Sequence, residues 1–144
     1  NAGEIATLAG IQAEVRGVES ISSAGDIGNS AKKLAGQFHI VVAVTGKTDV
    51  VTDGSRLWTL AYGHPLMGRV VGTGCVSTST VGCFVAMGVD RMEKTAQALA
   101  AYGLAGERTA ASLQEPGRFW EVFADEISGL SSKPDILVLQ AKEI

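Results

Sequence analysis

The order of elements along the 144 residues predicts an α/β fold of helices layered on a sheet. Three observations carry that expectation. A continuous apolar, β-branched run, HIVVAVTG (39–46), reads as a buried strand, and its unbroken apolar character predicts a parallel one. The next segment, 49–63, reads as a hairpin. Three helical patterns then follow in succession. The length suits a single domain over 1–144, and no internal repeat is visible.

Residues 2–10 place Ile5, Leu8 and Ala9 at helical spacing before Gly10, which predicts a short helix. Residues 11–25 are mixed and polar and read as a loop with a helical turn. Asp26 is placed to cap a helix through about Gln37, with Ile27, Ala31, Leu34 and Ala35 on one face. In the hairpin, Asp53-Gly54 forms the turn because both residues tolerate positive φ, and Trp58 and Leu60 share a face. Residues 64–75 form a loop ending in a Gly-rich turn. The small-residue run 75–88 reads as a buried helix stopped near Gly88. Asp90 and Glu93 have capping-box spacing and open a long helix, about 90–113. Pro116 starts another through about Ile127, and the tail DILVLQAKEI reads as a last strand.

The bulk numbers exclude several classes. The net charge is −3, the pI is about 5.3, and no Lys/Arg cluster forms a basic stripe, so nucleic acid is not expected as a partner. No apolar stretch reaches the roughly 18 residues of a membrane helix, and the N-terminal residues lack a signal-peptide pattern. Cys75 and Cys83, on one helix, would lie about 12 Å apart, too far for a disulfide, which points to a reducing cytoplasm. His39 and His64 have no second His or Cys at ligand spacing, so no zinc site is expected, and Cys83 reads as a small core residue. Ser77 and Ser79 lack the setting of a hydrolase nucleophile.

Four patterns bear on chemistry, each with a plainer alternative. Val71-Gly72-Thr73-Gly74-Cys75 precedes a small-residue helix. Glycines that turn backbone N–H groups to one point, plus a helix N-terminus, make an anion hole suited to a transferring phosphoryl group. The alternative is a tight loop that only lets the helix pack. Thr45-Gly46-Lys47-Thr48 looks like the end of a P-loop, but position 41 is Val where that motif needs Gly, so the P-loop is rejected. A strand ending in Thr45-Gly46 still offers a hydroxyl and bare backbone to a ligand; the alternative is a simple strand exit. Asn1 and Glu4, three apart at a helix start, either place a carboxylate where it can hold Mg²⁺ beside phosphates or merely cap the helix. Ala100, Gly103 and Gly106 form a small-residue stripe for close helix packing or for a nucleotide base.

NAGEI, VVAVTGKTDVVTDG and HPLMGRVVGTGC with its small-residue helix stand in the order and spacing of one family: the chain resembles the C-terminal half of hydroxyethylthiazole kinase, from Asn1 to about residue 125. The resemblance implies a ribokinase-like three-layer α/β/α sandwich, commonly trimeric, that uses ATP and Mg²⁺ to phosphorylate the hydroxyl of 4-methyl-5-(2-hydroxyethyl)thiazole in thiamine salvage. It implies that Asn1 and Glu4 lie near Mg²⁺ and phosphate, that Thr45 with Gly46 contacts ATP, that Gly72 contacts the substrate, and that Gly72, Thr73 and Gly74 form the anion hole. Cys75 stands where most ribokinase relatives place an Asp base, which assigns it to orienting the alcohol and, secondarily, to accepting its proton. A hydroxymethylpyrimidine-type kinase, which Asp at position 75 would have favoured, and a non-catalytic nucleotide-binding fragment are the alternatives. The family's N-terminal half, with much of the thiazole pocket and an Arg just before the Asn1 position, has no counterpart here, and the chain starts without Met. These residues are therefore expected to need that half, or a homo-oligomeric partner; a compact 144-residue monomer would contradict this.

Overall fold

The computed structural model describes residues 1–9, 24–113, 115–131 and 142–143. They fall into two compact units, Asn1–Ala61 with Ala141–Ile144, and Tyr62–Gln140. In the first unit two helices are followed by the strands of a small antiparallel sheet, and α2 packs on β1 and β2, consistent with the expected α/β fold.

The first unit contains α1 (Ala2–Leu8), α2 (Ala24–Phe38), β1 (Val42–Val44), β2 (Asp49–Thr52), β3 (Leu57–Leu60) and β4 (Lys142–Glu143). The strands lie in the order β1-β2-β3-β4. Strand alternation puts Val42, Val44, Val50 and Leu57 on one face, where they pack with Ile5, Ala31, Leu34 and Ala35. The apolar stripe of α2 is therefore the one its sequence spacing predicts. Val51, Trp58 and Leu60 point to the opposite face, as the register Val51↔Trp58 and Asp49↔Leu60 requires.

The expected parallel strand is corrected. β1 pairs antiparallel with β2, with Val42 opposite Thr52 and Val44 opposite Val50. Only residues 45–48 connect the two strands, and a parallel crossover needs a dozen or more residues. The run is also not buried on both faces, because Ala43 is exposed. In the hairpin turn, only Gly54 takes positive φ, at 94°. A Cβ there would sit 2.9 Å from the Gly36 nitrogen, so this turn needs glycine for space as well as for conformation. Asp53 holds the turn differently: its Oδ1 accepts from the Ser55 nitrogen, Ser55 Oγ and the Arg56 nitrogen, and its Oδ2 from Arg56 Nε. Burial pushes the Asp53 carboxyl upward, but the summed hydrogen bonds outweigh it and hold the group well below the usual carboxylate range.

The second unit contains a 3₁₀ turn (Pro65–Arg69), α3 (Thr73–Val85), α4 (Arg91–Ser112), a 3₁₀ turn (Pro116–Arg118) and α5 (Phe119–Ser131). Asp90 caps α4 by accepting from the Met92 and Glu93 nitrogens. Leu66, Tyr102, Ala105, Phe119, Phe123 and Leu130 form the core. Gly103 and Gly106 lie against the segment entering α3. A Cβ on Gly103 would meet Tyr62 Cβ at 2.5 Å and its carbonyl carbon at 2.9 Å, and one on Gly106 would meet Met67 Sδ at 2.1 Å. Gly103 and Gly106 thus pack on Tyr62, Gly63 and Met67, which occupy the space over these two glycines.

Two expectations for α3 are corrected. It was expected to be buried, but within it only Ser77 is buried, and Val76 is 39% exposed. Cys83 is exposed, not a core residue. A helix apolar on every side reads as buried, yet among the described residues its packing partner is α4. Most of residues 11–25 and of the tail 135–144 lie outside the described residues; within the tail, β4 pairs with β3.

The close approaches set an order of cost. Gly103→Ala meets backbone and should lower the unfolding free energy by about 2–3 kcal/mol in urea titration, despite the helix propensity of alanine. Gly106→Ala meets only the flexible Met67 thioether and should cost about 1 kcal/mol. Equal costs would show that the Tyr62 backbone can yield.

Candidate active site

The N-terminus of α3 is the most developed site. Gly72 is its N-cap at φ 97°, ψ −12°, a left-handed conformation that side chains rarely adopt. Its carbonyl accepts from the Val76 nitrogen at 3.0 Å and starts the helix. Glycine provides no side-chain cap, so the N–H groups of the first turn, at Thr73, Gly74 and Cys75, keep the free donors of a helix start. No acidic side chain sits in that turn to compete for them. Nothing lies within 4 Å of where a Gly74 side chain would be, which leaves room for an anion against the backbone. Cys75, the third helical residue, is exposed.

Three side chains hold this turn. Thr73 Oγ1 donates toward the carbonyls of Met67 (3.0 Å) and Val70 (3.2 Å). Tyr102 of α4 donates its hydroxyl to the Thr73 carbonyl at 2.7 Å. The Trp120 ring stands 3.5 Å from the Cβ position of Gly72. Burial pushes the Tyr102 hydroxyl up to about 12, with a smaller push from Cys75, so Tyr102 remains a donor at any working pH. Glu107 accepts from the Gly63 nitrogen at 2.9 Å and secures the segment further upstream. A surface cleft of about 350 Å³ opens between His64–Arg69 and Ala110 and Leu113; none of the expected site residues lines it.

The other expected residues lie in the first unit. Thr45 and Gly46 follow β1 directly, and Gly46, Lys47 and Thr48 are exposed. No helix follows them, as a P-loop would need; β2 does. The Gly46 N–H donates to Asp49 Oδ1 at 2.9 Å, which folds the turn back on β2. Burial raises the Asp49 carboxyl to about 6, and that hydrogen bond opposes the rise. Asn1 and Glu4 form a capping box: Asn1 Oδ1 accepts from the Glu4 nitrogen at 3.1 Å, and the Glu4 carboxylate accepts from the Asn1 nitrogen. Glu4 remains exposed.

Gly72, Thr73, Gly74 and Cys75 are thus gathered at one helix end, Thr45 and Gly46 at one strand exit, and Asn1 and Glu4 at one cap. Sequence reasoning missed Tyr102, Glu107 and Asp49. Tyr102 and Glu107 are far from their partners in sequence and gave no local signal. Asp49 was readable in principle, since an Asp three residues after Gly46 is an Asx-type turn former.

The Hydroxyethylthiazole kinase family matches residues 1–133. A hydroxyethylthiazole kinase of Rubrobacter xylanophilus is 51% identical over 138 residues, covering 95% of this chain and 51% of that one. One from Thermoanaerobacter pseudethanolicus is 47% identical over 139 residues, 95% of this chain and 52% of the other. The solved structure of a hydroxyethylthiazole kinase protein from Pyrococcus horikoshii OT3 superposes with a TM-score of 0.84 at 30% identity, covering 100% of this chain and 53% of that one. The chain spans about half the length of the curated relatives it matches.

Asp49 sets a pH test. Its folded value, about 6, lies above the unfolded 3.8, so its contribution to stability is present below about pH 4 and is lost as pH rises through 6. Asp49→Asn keeps an acceptor for the Gly46 N–H and removes the buried charge. It should match the native chain at pH 4 and exceed it by about 1–2 kcal/mol at pH 7.5 in denaturant unfolding. A difference that does not change with pH would mean that Asp49 is solvated as an ordinary surface carboxylate.

Proposed function

Because the chain belongs to the hydroxyethylthiazole kinase family, we propose that it carries the ATP side of a kinase that phosphorylates the hydroxyl of 4-methyl-5-(2-hydroxyethyl)thiazole in thiamine salvage. The observation that supports this most is the start of α3, where left-handed Gly72 and open Gly74 frame a first turn that, among the described residues, has no side-chain cap and no acidic residue of its own. Phosphoryl transfer passes through a loose transition state with charge on its equatorial oxygens, so fixed N–H donors contribute more than covalent chemistry does. In this reading Gly72, Thr73 and Gly74 receive the transferring phosphoryl group, and the Gly72 backbone also touches the alcohol. Cys75 orients the alcohol and, secondarily, takes its proton. Thr45 and Gly46 contact ATP.

Asn1 and Glu4 would hold Mg²⁺ beside the phosphates. The donor chemistry fits, because Mg²⁺ commonly takes one or two carboxylates, with water and phosphate oxygens completing its shell, and Glu4 is an exposed carboxylate. Bound there, the ion would neutralise phosphate charge.

The chain is read as part of a larger single domain that works with the remainder of a family-length protein and as a homo-oligomer, a trimer by family resemblance. Val71, Met87 and Val89 are 94%, 70% and 101% exposed, apolar surface that such partners would cover. Among the described residues no helix is long and apolar enough to cross a membrane. Two free thiols suit a reducing cytoplasm. A second reading is a fragment that binds nucleotide without turnover.

ATP consumption measured with and without hydroxyethylthiazole separates the two. Turnover that requires the thiazole supports the kinase; nucleotide binding without turnover supports the fragment. In an active protein, Cys75→Ala should lower kcat about tenfold, whereas Cys75→Asp, which restores a base, should retain it. Full kcat in the Ala variant would remove Cys75 from catalysis.

A further inference from the structure

The planar peptide between Thr73 and Gly74 links two directions. In a trans peptide the C=O of one residue and the N–H of the next point oppositely and cannot turn independently. Whatever fixes the Thr73 carbonyl therefore aims the Gly74 N–H. Within α3 that carbonyl has the ordinary helical partner, the nitrogen of Ser77. The Tyr102 hydroxyl adds a second donor at 2.7 Å, from a helix 29 residues away in sequence. Tyr102 itself has little freedom: it is 4% exposed, and its ring meets Phe123 edge-on at a centroid distance of 4.9 Å. We propose that Tyr102 is a positioning residue for phosphoryl transfer, which orients the Thr73–Gly74 peptide so that the Gly74 N–H is directed at the transferring group.

Two features make the hydroxyl matter here. Gly72 and Gly74 flank Thr73, so the first turn of α3 has little side-chain steric restraint of its own. The turn is held by Thr73 Oγ1 on one side and by Tyr102 on the other. A donor on a carbonyl also polarises the amide it belongs to and strengthens its N–H as a donor. Tyr102 meets its target through the backbone and needs no contact with substrate.

The inference rests on the kinase reading for its catalytic consequence, and the test separates the two. In a Cys83→Ser background Cys75 is the sole thiol. In that background Tyr102→Phe removes only the hydroxyl. It should lower kcat about tenfold, less than the hundredfold or more that follows loss of a whole oxyanion donor, with KM for the alcohol changed less than about twofold. Alkylation of Cys75 by iodoacetamide at fixed pH should slow about threefold, because Cys75 lies in the same first turn that Tyr102 braces and its approach geometry changes with that turn. Thr109→Val, which removes a buried hydroxyl bonded to the Ala105 carbonyl within α4, is the control for general loosening. It should leave kcat and the alkylation rate within about twofold of the parent. If Tyr102→Phe leaves both readouts within twofold, or if Thr109→Val lowers them equally, Tyr102 has no positioning role. If the parent transfers no phosphoryl group to any alcohol, the kinase reading fails, and the alkylation arm alone still decides whether Tyr102 aims this turn.

Discussion

The seating of residues 62–73 on α4 is the constraint from which the candidate site follows. Gly103 lets the Tyr62 backbone come within a distance that no side chain would allow, and Gly106 leaves room for the Met67 thioether. Glu107 then fixes the Gly63 N–H, and Tyr102 fixes the Thr73 carbonyl. These four residues occupy less than two turns of one helix face. They hold the whole segment that feeds into Gly72, and the left-handed turn at Gly72 is geometrically useful only if that segment arrives at a set angle. An anion site made of backbone has no side chains to reposition it. Its accuracy comes from the packing beneath it.

The first unit shows the same economy with carboxylates. Asp53 and Asp49 both brace turns through hydrogen bonds to main-chain nitrogens, yet their acidities move in opposite directions. At Asp53 four donors converge on one carboxylate, and the hydrogen bonds win. At Asp49 one donor meets a half-buried carboxylate, and burial wins. A carboxyl raised to about 6 is not optimal for stability near neutral pH, where its charge is costly. Its hydrogen bond from the Gly46 N–H holds the exposed strand exit in one conformation at that cost.

Much of this was legible in the sequence because it is local. The helices announced themselves through spacing at Ile27, Ala31, Leu34 and Ala35 and through caps at Asn1 and Asp90, and the hairpin through Asp53-Gly54. The misreadings had a common cause. A run of Val, Ala and Ile between residues 40 and 44 reports apolar environment without reporting strand direction, which is set by the four-residue connection that follows. The composition of α3 likewise reports apolarity without reporting what covers it, so Cys83 and Val76 were placed in a core that the described residues do not supply. Within the site, Gly72 to Cys75 were legible because glycine spacing encodes backbone shape. Tyr102 and Glu107 were not, because a contact across 29 or 44 residues leaves no periodicity to read.

The uncovered face of α3 bears on how such a site is built. A helix whose N-terminus serves an anion must keep that end open while its flanks are gripped firmly, and among the described residues the element that grips α3 most extensively is α4. Small residues at Gly74, Ser77, Ser79 and Gly82 give the helix little bulk of its own, so a second packing surface could approach its backbone closely. With Val71 almost fully exposed directly before Gly72, anything that covers this face would also bear on the turn. Covering α3 and setting the turn at Gly72 are then one physical event.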